Sequence, residues 1–130
     1  MFDYIEYKPI GIIKTPFKEK APYQYFASKA EGKIEIFKEY GEGLEGIENF
    51  QRILVIFHFH KMNEKLLKVR RRIDGKIKGI FATRAPTRPN AIGISWLDLM
   101  GRDRNILYVK GVDMLDGTPV IDIKVIEDEL

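Results

Sequence analysis

Cysteine is missing from this chain, which rules out disulfides and thiolate metal sites. Histidine occurs only twice, too few for a zinc site unless carboxylates or a second subunit contribute, so no metal is expected. No apolar run approaches the roughly 20 residues that a membrane-crossing helix needs. The opening residues, MFDYIEYKPIG, lack the basic region and apolar run of a secretory signal. Together these features predict a cytoplasmic protein with no membrane partner. Helix signals are also sparse: Leu44 to Phe50 has room for one or two turns, and Met62 to Val69 reads as a short helix or an extended arm.

What is present suits one compact domain over residues 1–130, with 45% hydrophobic residues to build its core. The net charge is +3, a mild bias that fits a phosphate-bearing partner without demanding one. The charges are segregated. Lys65, Lys68, Arg70, Arg71, Arg72, Lys76 and Lys78 stand against Asp74 alone, while Glu35, Glu39, Glu42, Glu45 and Glu48 stand against Lys38. Such a run is either a solvated face or the electrostatic footprint of a partner.

Strand-like runs dominate. Tyr7 to Thr15 is one, and Lys33 to Phe37 alternates apolar and polar. Arg52 to His60, RILVIFHFH, is the most apolar and reads as a central strand. Arg72 to Phe81 contains Asp74-Gly75, a hairpin turn signal between alternating flanks. Ile94 to Met100, Asn105 to Met114 and Pro119 to Ile126 follow, the last two joined by a turn at Leu115 to Thr118. Many short strands with Gly and Pro punctuation predict an all-β fold, a small single-domain β-barrel with short helical or irregular insertions.

One motif misleads. Gly41 to Gly46, GEGLEG, matches G-x-G-x-x-G. Glu42 and Glu45 would set negative charge beside a pyrophosphate, and Ile47 to Gln51 is too short for a crossover helix before the strand at Arg52. A Gly-rich turn into a core strand is the better reading.

The stretch ATRAPTRPN, Ala82 to Asn90, holds Arg84 and Arg88 on a backbone stiffened by Pro86 and Pro89. A stiff loop loses little entropy on binding, and guanidinium forks suit carboxylates, phosphates and base faces. It reads as half of a pocket. In RILVIFHFH, period two puts His58 and His60 on one face and Phe57 and Phe59 on the other. His58 reads as a core histidine bonded to backbone. His60, at the strand end before Lys61, is a candidate binding group. Asp113 and Asp116 bracket Met114-Leu115, and Asp116-Gly117 also reads as a plain hairpin turn.

The block GIFATRAPTRPNAIGIS, Gly79 to Ser95, resembles the signature of the TrmO/TsaA-like family. PIGIIKTPF, GLEGIENFQRILVIFHFH and VDMLDGTPVIDIK match further family blocks in order. The resemblance implies a β-barrel dimer that binds S-adenosyl-L-methionine near the subunit interface. It also implies methylation of N6 on the threonylcarbamoyl-modified adenosine beside the tRNA anticodon. By the same resemblance the cofactor contacts are Pro22, Tyr23, Gln24, His60, Lys61, Arg84, Ile94 and the loop Asp113, Met114, Leu115 and Asp116. Arg70, Arg71, Arg72, Lys76 and Lys78 are the expected contacts to tRNA phosphates, with Arg88 nearer the reacting base.

The chain departs from the family pattern at Ala91, where proline is usual, and at Val125-Ile126, where Pro-Tyr is usual. Longer relatives carry a C-terminal domain not found in this sequence. No general base is assigned. His60, Asp113 and Asp116 are candidates. Two rival functions remain open at the level of sequence: a non-catalytic RNA-binding barrel that stacks bases on Tyr23, Tyr25 or Phe26, and a sensor of a nucleotide-like ligand.

Overall fold

The computed structural model describes residues 2–22 and 28–126. Its strands are β1 (Gly11–Lys14), β2 (Glu31–Ile36), β3 (Arg52–His58), β4 (Lys68–Arg70), β5 (Ile77–Gly79), β6 (Ile92–Asp103), β7 (Ile106–Lys110) and β8 (Thr118–Val125). Six of them close into an antiparallel barrel in the order β1-β2-β7-β6-β3-β8, and β4-β5 forms a separate hairpin. Short 3-10 segments at Lys38–Leu44, Ile47–Asn49 and Ile80–Ala82 fill the connections. The all-β barrel expected from the sequence is the architecture found.

The alternation that marked β3 is what fills the barrel. Ile53, Val55 and Phe57 point inward and are fully buried, beside Ile13, Ile34, Leu97, Leu107 and Val120 from other strands. On β6 the inward positions are Gly93, Ser95 and Leu97, while Ile92, Ile94 and Trp96 face out. Gly93 is required by packing rather than by backbone angle. A Cβ there would lie 2.6 Å from the Phe57 ring and 2.7 Å from the Phe59 ring. Those two rings meet edge to face at 5.1 Å, so the small residue on β6 is what lets them pack.

Several boundaries differ from the sequence expectation. The first strand begins at Gly11 rather than Tyr7, and residues 2–9 are exposed. Pro9 has no N–H to give a ladder, which fits the late start. β3 stops at His58, because the chain turns there and Met62 N–H bonds to the Phe59 carbonyl at 3.3 Å. The segment around Met62 to Val69 is extended, not helical, and supplies the first strand of the hairpin, β4. The hairpin therefore starts earlier than Arg72. The Asp74-Gly75 turn is where the sequence put it, with Gly75 at φ 69°. His58 is the clearest correction: it is exposed on the outer face opposite Ile92, not a core histidine. Once Phe57 fills the barrel, period two obliges its neighbour to point out.

The misleading glycine run lies in and just after the 3-10 segment Lys38–Leu44, with Glu42 and Glu45 exposed. β2 pairs with β1 and β7, not with β3, so no parallel βαβ unit exists there. Among the described residues, no helix is long and apolar enough to cross a membrane. No group of three His, Asp or Glu is placed to hold a metal among them either.

Candidate functional site

A cavity of about 580 Å³ opens where the end of β3, the hairpin, the Arg84 loop and the β7–β8 connection converge. Phe59, His60, Lys61 and Met62 line it from the end of β3, and Lys68, Val69, Arg70 and Arg72 from the hairpin. Arg84, Ala85, Pro86 and Thr87 form a third wall, Asp113, Met114, Leu115 and Thr118 a fourth, and Pro22 sits at the edge. Apolar walls with a few converging polar groups are the usual character of a small-molecule site.

The Arg84 loop answers why two guanidinium groups share one stiff stretch. Arg84 lines the cavity, and its Nη2 donates to the Ile94 carbonyl on β6 at 2.6 Å. Arg88 turns back into its own loop. Its Nη1 donates to the carbonyls of Thr83 at 2.8 Å and Ala85 at 3.2 Å. The Arg88 guanidinium also lies 6.0 Å from the centre of the exposed Phe81 ring. Thr83 Oγ1 donates to the Ile80 carbonyl at 2.8 Å and accepts the Ala85 N–H at 3.2 Å, capping the turn into the loop. Lys65 Nζ reaches the Pro89 carbonyl at 2.9 Å, and Leu66 N–H bonds to the Thr87 carbonyl. One arginine borders the cavity, and the other holds the loop that carries it.

Opposite this wall, Ser95 Oγ donates to Asp113 Oδ1 at 2.5 Å. The serine is buried at an inward position of β6, so the barrel interior fixes a carboxylate at the cavity edge. Asp116 is used differently. Its Oδ1 accepts the Thr15 N–H at 2.9 Å and its Oδ2 pairs with Lys18 Nζ at 2.7 Å, with its carboxyl held below the ordinary value by the lysine first and the N–H second. It ties the end of β1 to the turn before β8, where Gly117 takes φ 83°. Asp116 is not among the residues that line the cavity.

Burial first, then the charge of Lys61, then His58, hold the His60 imidazole below its ordinary value. It stands neutral at pH 7 and can accept a hydrogen bond. Of the residues expected at the cofactor site, the fold gathers Pro22, His60, Lys61, Arg84, Asp113, Met114 and Leu115 around one cavity. Ile94 contributes its backbone carbonyl, while its side chain faces outward and is 42% exposed. Tyr23 and Gln24 lie outside the described residues, as do Tyr25 and Phe26.

The basic residues divide in the same way. Arg70 and Arg72 line the cavity. Arg70 Nη1 also donates to the Gly75 carbonyl at 2.6 Å, and Arg71 pairs with Asp74. That ion pair and the Lys76 N–H draw the Asp74 carboxyl down to about 2. Lys76 is exposed and Lys78 half-buried on the return side of the hairpin. Sequence reasoning missed Phe59, Met62 and Lys68 as lining residues, and Ser95 as the partner of Asp113. Ser95 carried a signal, being the lone polar inward residue between Gly93 and Leu97. Thr87 belongs to the stretch read as half of a pocket, and its Oγ1 is buried without a hydrogen-bond partner among the described residues.

The family model described as the tRNA-methyltransferase O N-terminal domain matches residues 12–128. The chain belongs to this family. It is 51% identical over 121 residues to a protein of Pyrococcus abyssi named "Probable S-adenosyl-L-methionine-binding protein", covering 91% of this chain and 66% of that one. It is 39% identical over 127 residues to a mouse protein named tRNA (adenine(37)-N6)-methyltransferase, covering 90% of this chain and 30% of the mouse protein. The crystal structure of TrmO from Pseudomonas aeruginosa superposes with a TM-score of 0.78 at 36% identity, covering 98% of this chain and 56% of that one. The chain thus spans from about a third to about two thirds of the length of these relatives.

Proposed function

We propose that this chain binds S-adenosyl-L-methionine in the cavity and transfers its methyl group to N6 of an adenosine in tRNA, the threonylcarbamoyl-modified one beside the anticodon. The observation that carries the reading is the convergence of Arg84 and Asp113, from different walls, on one largely apolar cavity in a chain of this family. The mouse relative, named for tRNA adenine-N6 methylation, supports the choice of acceptor.

The donor set fits this cofactor. Arg84 suits its carboxylate, Asp113 suits its ammonium or sulfonium, and Met114 with the apolar walls suits the adenine. When bound, the cofactor supplies a methyl group made electrophilic by its positive sulfur. The chain's own task is placement, because adenine N6 is a poor nucleophile whose lone pair is spread into the ring. Arg84 is oriented by the Ile94 carbonyl and Asp113 by Ser95, so both charged groups are held before any ligand arrives. His60 stands neutral at the cavity and can accept a hydrogen bond there.

The functional unit in this reading is a cytoplasmic homodimer. Ile92, Ile94 and Trp96 form an exposed apolar stripe on the outer face of β6, beside Leu54 and Ile56 of β3. The stripe runs into the backbone carbonyl that holds Arg84, so a second copy seated on it would border the cavity. Sedimentation showing a monomer at micromolar concentration with full cofactor binding would remove the dimer from the proposal.

The test of the reaction is direct. The protein is incubated with methyl-labelled cofactor and total tRNA, and the labelled nucleoside is identified. Label on N6 of the threonylcarbamoyl-modified adenosine supports the reading. Cofactor binding without transfer to any RNA points to a ligand sensor, and RNA binding without cofactor binding points to a non-catalytic barrel.

A further inference from the structure

The family resemblance places Asp116 among the cofactor contacts. The residues that line the cavity are its neighbours instead, Met114 and Leu115 before it and Thr118 after it. The Asp116 carboxylate is spent on the chain that leaves β1, through the Thr15 N–H and Lys18 Nζ. Its own N–H donates to the Phe17 carbonyl at 2.7 Å. Thr15 adds two bonds: its Oγ1 donates to the Met114 carbonyl at 2.9 Å and accepts the Phe17 N–H at 3.1 Å. Thr15 is buried and Phe17 packs on the core, so residues 15–17 are seated on the barrel. Glu19 and Lys20 are exposed, and Ala21 and Pro22 then return to line the cavity. Among the described residues, the Lys18–Asp116 pair is the last hydrogen bond or ion pair on this segment before that wall.

We propose that Asp116 is a positioning residue for the cofactor site: it holds residues 15–18 and, through them, sets the Ala21–Pro22 wall against Met114 and Leu115. The inference rests on the assignment of the cavity to S-adenosyl-L-methionine. Asp116 engages three positions of the segment, 15, 17 and 18, and Leu115 borders the cavity one residue away. Both walls are thus referenced to a single residue that touches neither the cavity nor its ligand. A segment held in this way has less freedom to lose when a ligand binds, so the anchors raise affinity without a contact of their own. The three anchors differ in strength. The bond to Phe17 is made by backbone and survives a side-chain substitution. The ion pair is the weak member, because the Lys18 side chain is 70% exposed.

Calorimetry on the full chain, with S-adenosylhomocysteine as the probe, separates positioning from direct contact. Each titration is run well below the melting temperature of the variant. Lys18→Met breaks the ion pair from a side chain that does not line the cavity. It weakens binding about two- to fivefold, the scale of an exposed pair. Asp116→Asn keeps an oxygen for the Thr15 N–H and weakens binding by the same factor. The Lys18→Met/Asp116→Asn double variant is no weaker than either single one, since both remove one interaction. Asp116→Ala loses the Thr15 bond as well and weakens binding on the order of tenfold. Pro22→Gly loosens the wall itself, and in that background Asp116→Ala costs less than about twofold more. Wild-type affinity in Lys18→Met, or fully additive losses in Asp116→Ala/Pro22→Gly, overturns the inference and leaves the cavity assignment standing. If the wild-type chain does not bind the probe, the assignment fails and the inference fails with it.

Discussion

Arg84 Nη2 donates to the carbonyl oxygen of Ile94 at 2.6 Å, which fastens the loop of the cavity rim to a central barrel strand. The bond spans ten residues of chain and joins an irregular segment to β6, the longest strand of the barrel. A guanidinium has several donors, so it can hold this bond while it takes part in others.

Replacing Arg84 with alanine should lower affinity for S-adenosyl-L-methionine by about 1.5–3 kcal/mol, the scale of a charge-assisted hydrogen bond. Arg84→Lys should recover little, because a lysine lacks the fork that reaches both the Ile94 carbonyl and a carboxylate. Calorimetry checks both variants. Wild-type affinity in Arg84→Ala would remove this residue from the site.

The alternation of RILVIFHFH was legible because each inward residue fills the barrel and each outward one does not. Closure of the barrel followed from many short strands and their turns. Less legible was the role of Arg88. In sequence, a guanidinium that turns back onto Thr83 and Ala85 looks the same as one that faces RNA. Asp116 was ambiguous for a similar reason: a turn aspartate and a ligand aspartate share one sequence signature. The bond from Ser95 to Asp113 spans 18 residues and joins β6 to the loop after β7, so no local pattern announces it. Lys68 and Thr87 become walls only where the hairpin and the Arg84 loop meet the end of β3 around one cavity.

His60 makes the site sensitive to pH. Its imidazole is held below the ordinary 6.5 by burial first and by Lys61 and His58 after that. The folded state therefore binds the proton less well than the unfolded chain. The contribution to stability is fully present above the unfolded value and is lost as pH falls from there toward the lower folded value. Protonation also adds a cation to the cavity. Melting temperature and cofactor affinity should both drop between about pH 7.5 and pH 5.5. His60→Gln should flatten both drops. Equal pH profiles for that variant and the wild type would show that another group is responsible.

Gly93→Ala should destabilise the fold by about 1–3 kcal/mol, the usual scale of overpacking. The new Cβ would meet the rings of Phe57 and Phe59 at 2.6–2.8 Å, and Phe57 is fully buried with no room to retreat. Shortening the partner that is only partly buried, in Gly93→Ala/Phe59→Leu, should return part of the loss. Thermal denaturation reads both effects. An unaltered melting temperature in Gly93→Ala would mean that the barrel opens at β6 more easily than this packing allows.

The hairpin should carry much of the RNA affinity, but its cations are not equivalent. Arg70 and Arg71 hold the turn, through the Gly75 carbonyl and Asp74 respectively. Arg72 lines the cavity, and Lys76 and Lys78 follow the turn on the return side of the hairpin. Taking away one phosphate contact should reduce the salt slope of binding by somewhat less than one. Arg72→Ala/Lys76→Ala/Lys78→Ala should therefore weaken tRNA binding and flatten the slope by about two to three. In that variant the turn keeps its bonds to Arg70 and Arg71, and the backbone N–H of residue 76 still reaches Asp74. Arg70→Ala/Arg71→Ala/Arg72→Ala should weaken tRNA binding as well, but it should also loosen the hairpin, since Asp74 is then left without its guanidinium. Asp74→Asn separates the two effects: it should disturb the turn while leaving every cation in place. If the Arg72, Lys76 and Lys78 variant keeps wild-type tRNA affinity and salt slope, the RNA must cross another face, and the cations of the hairpin are a solvated surface.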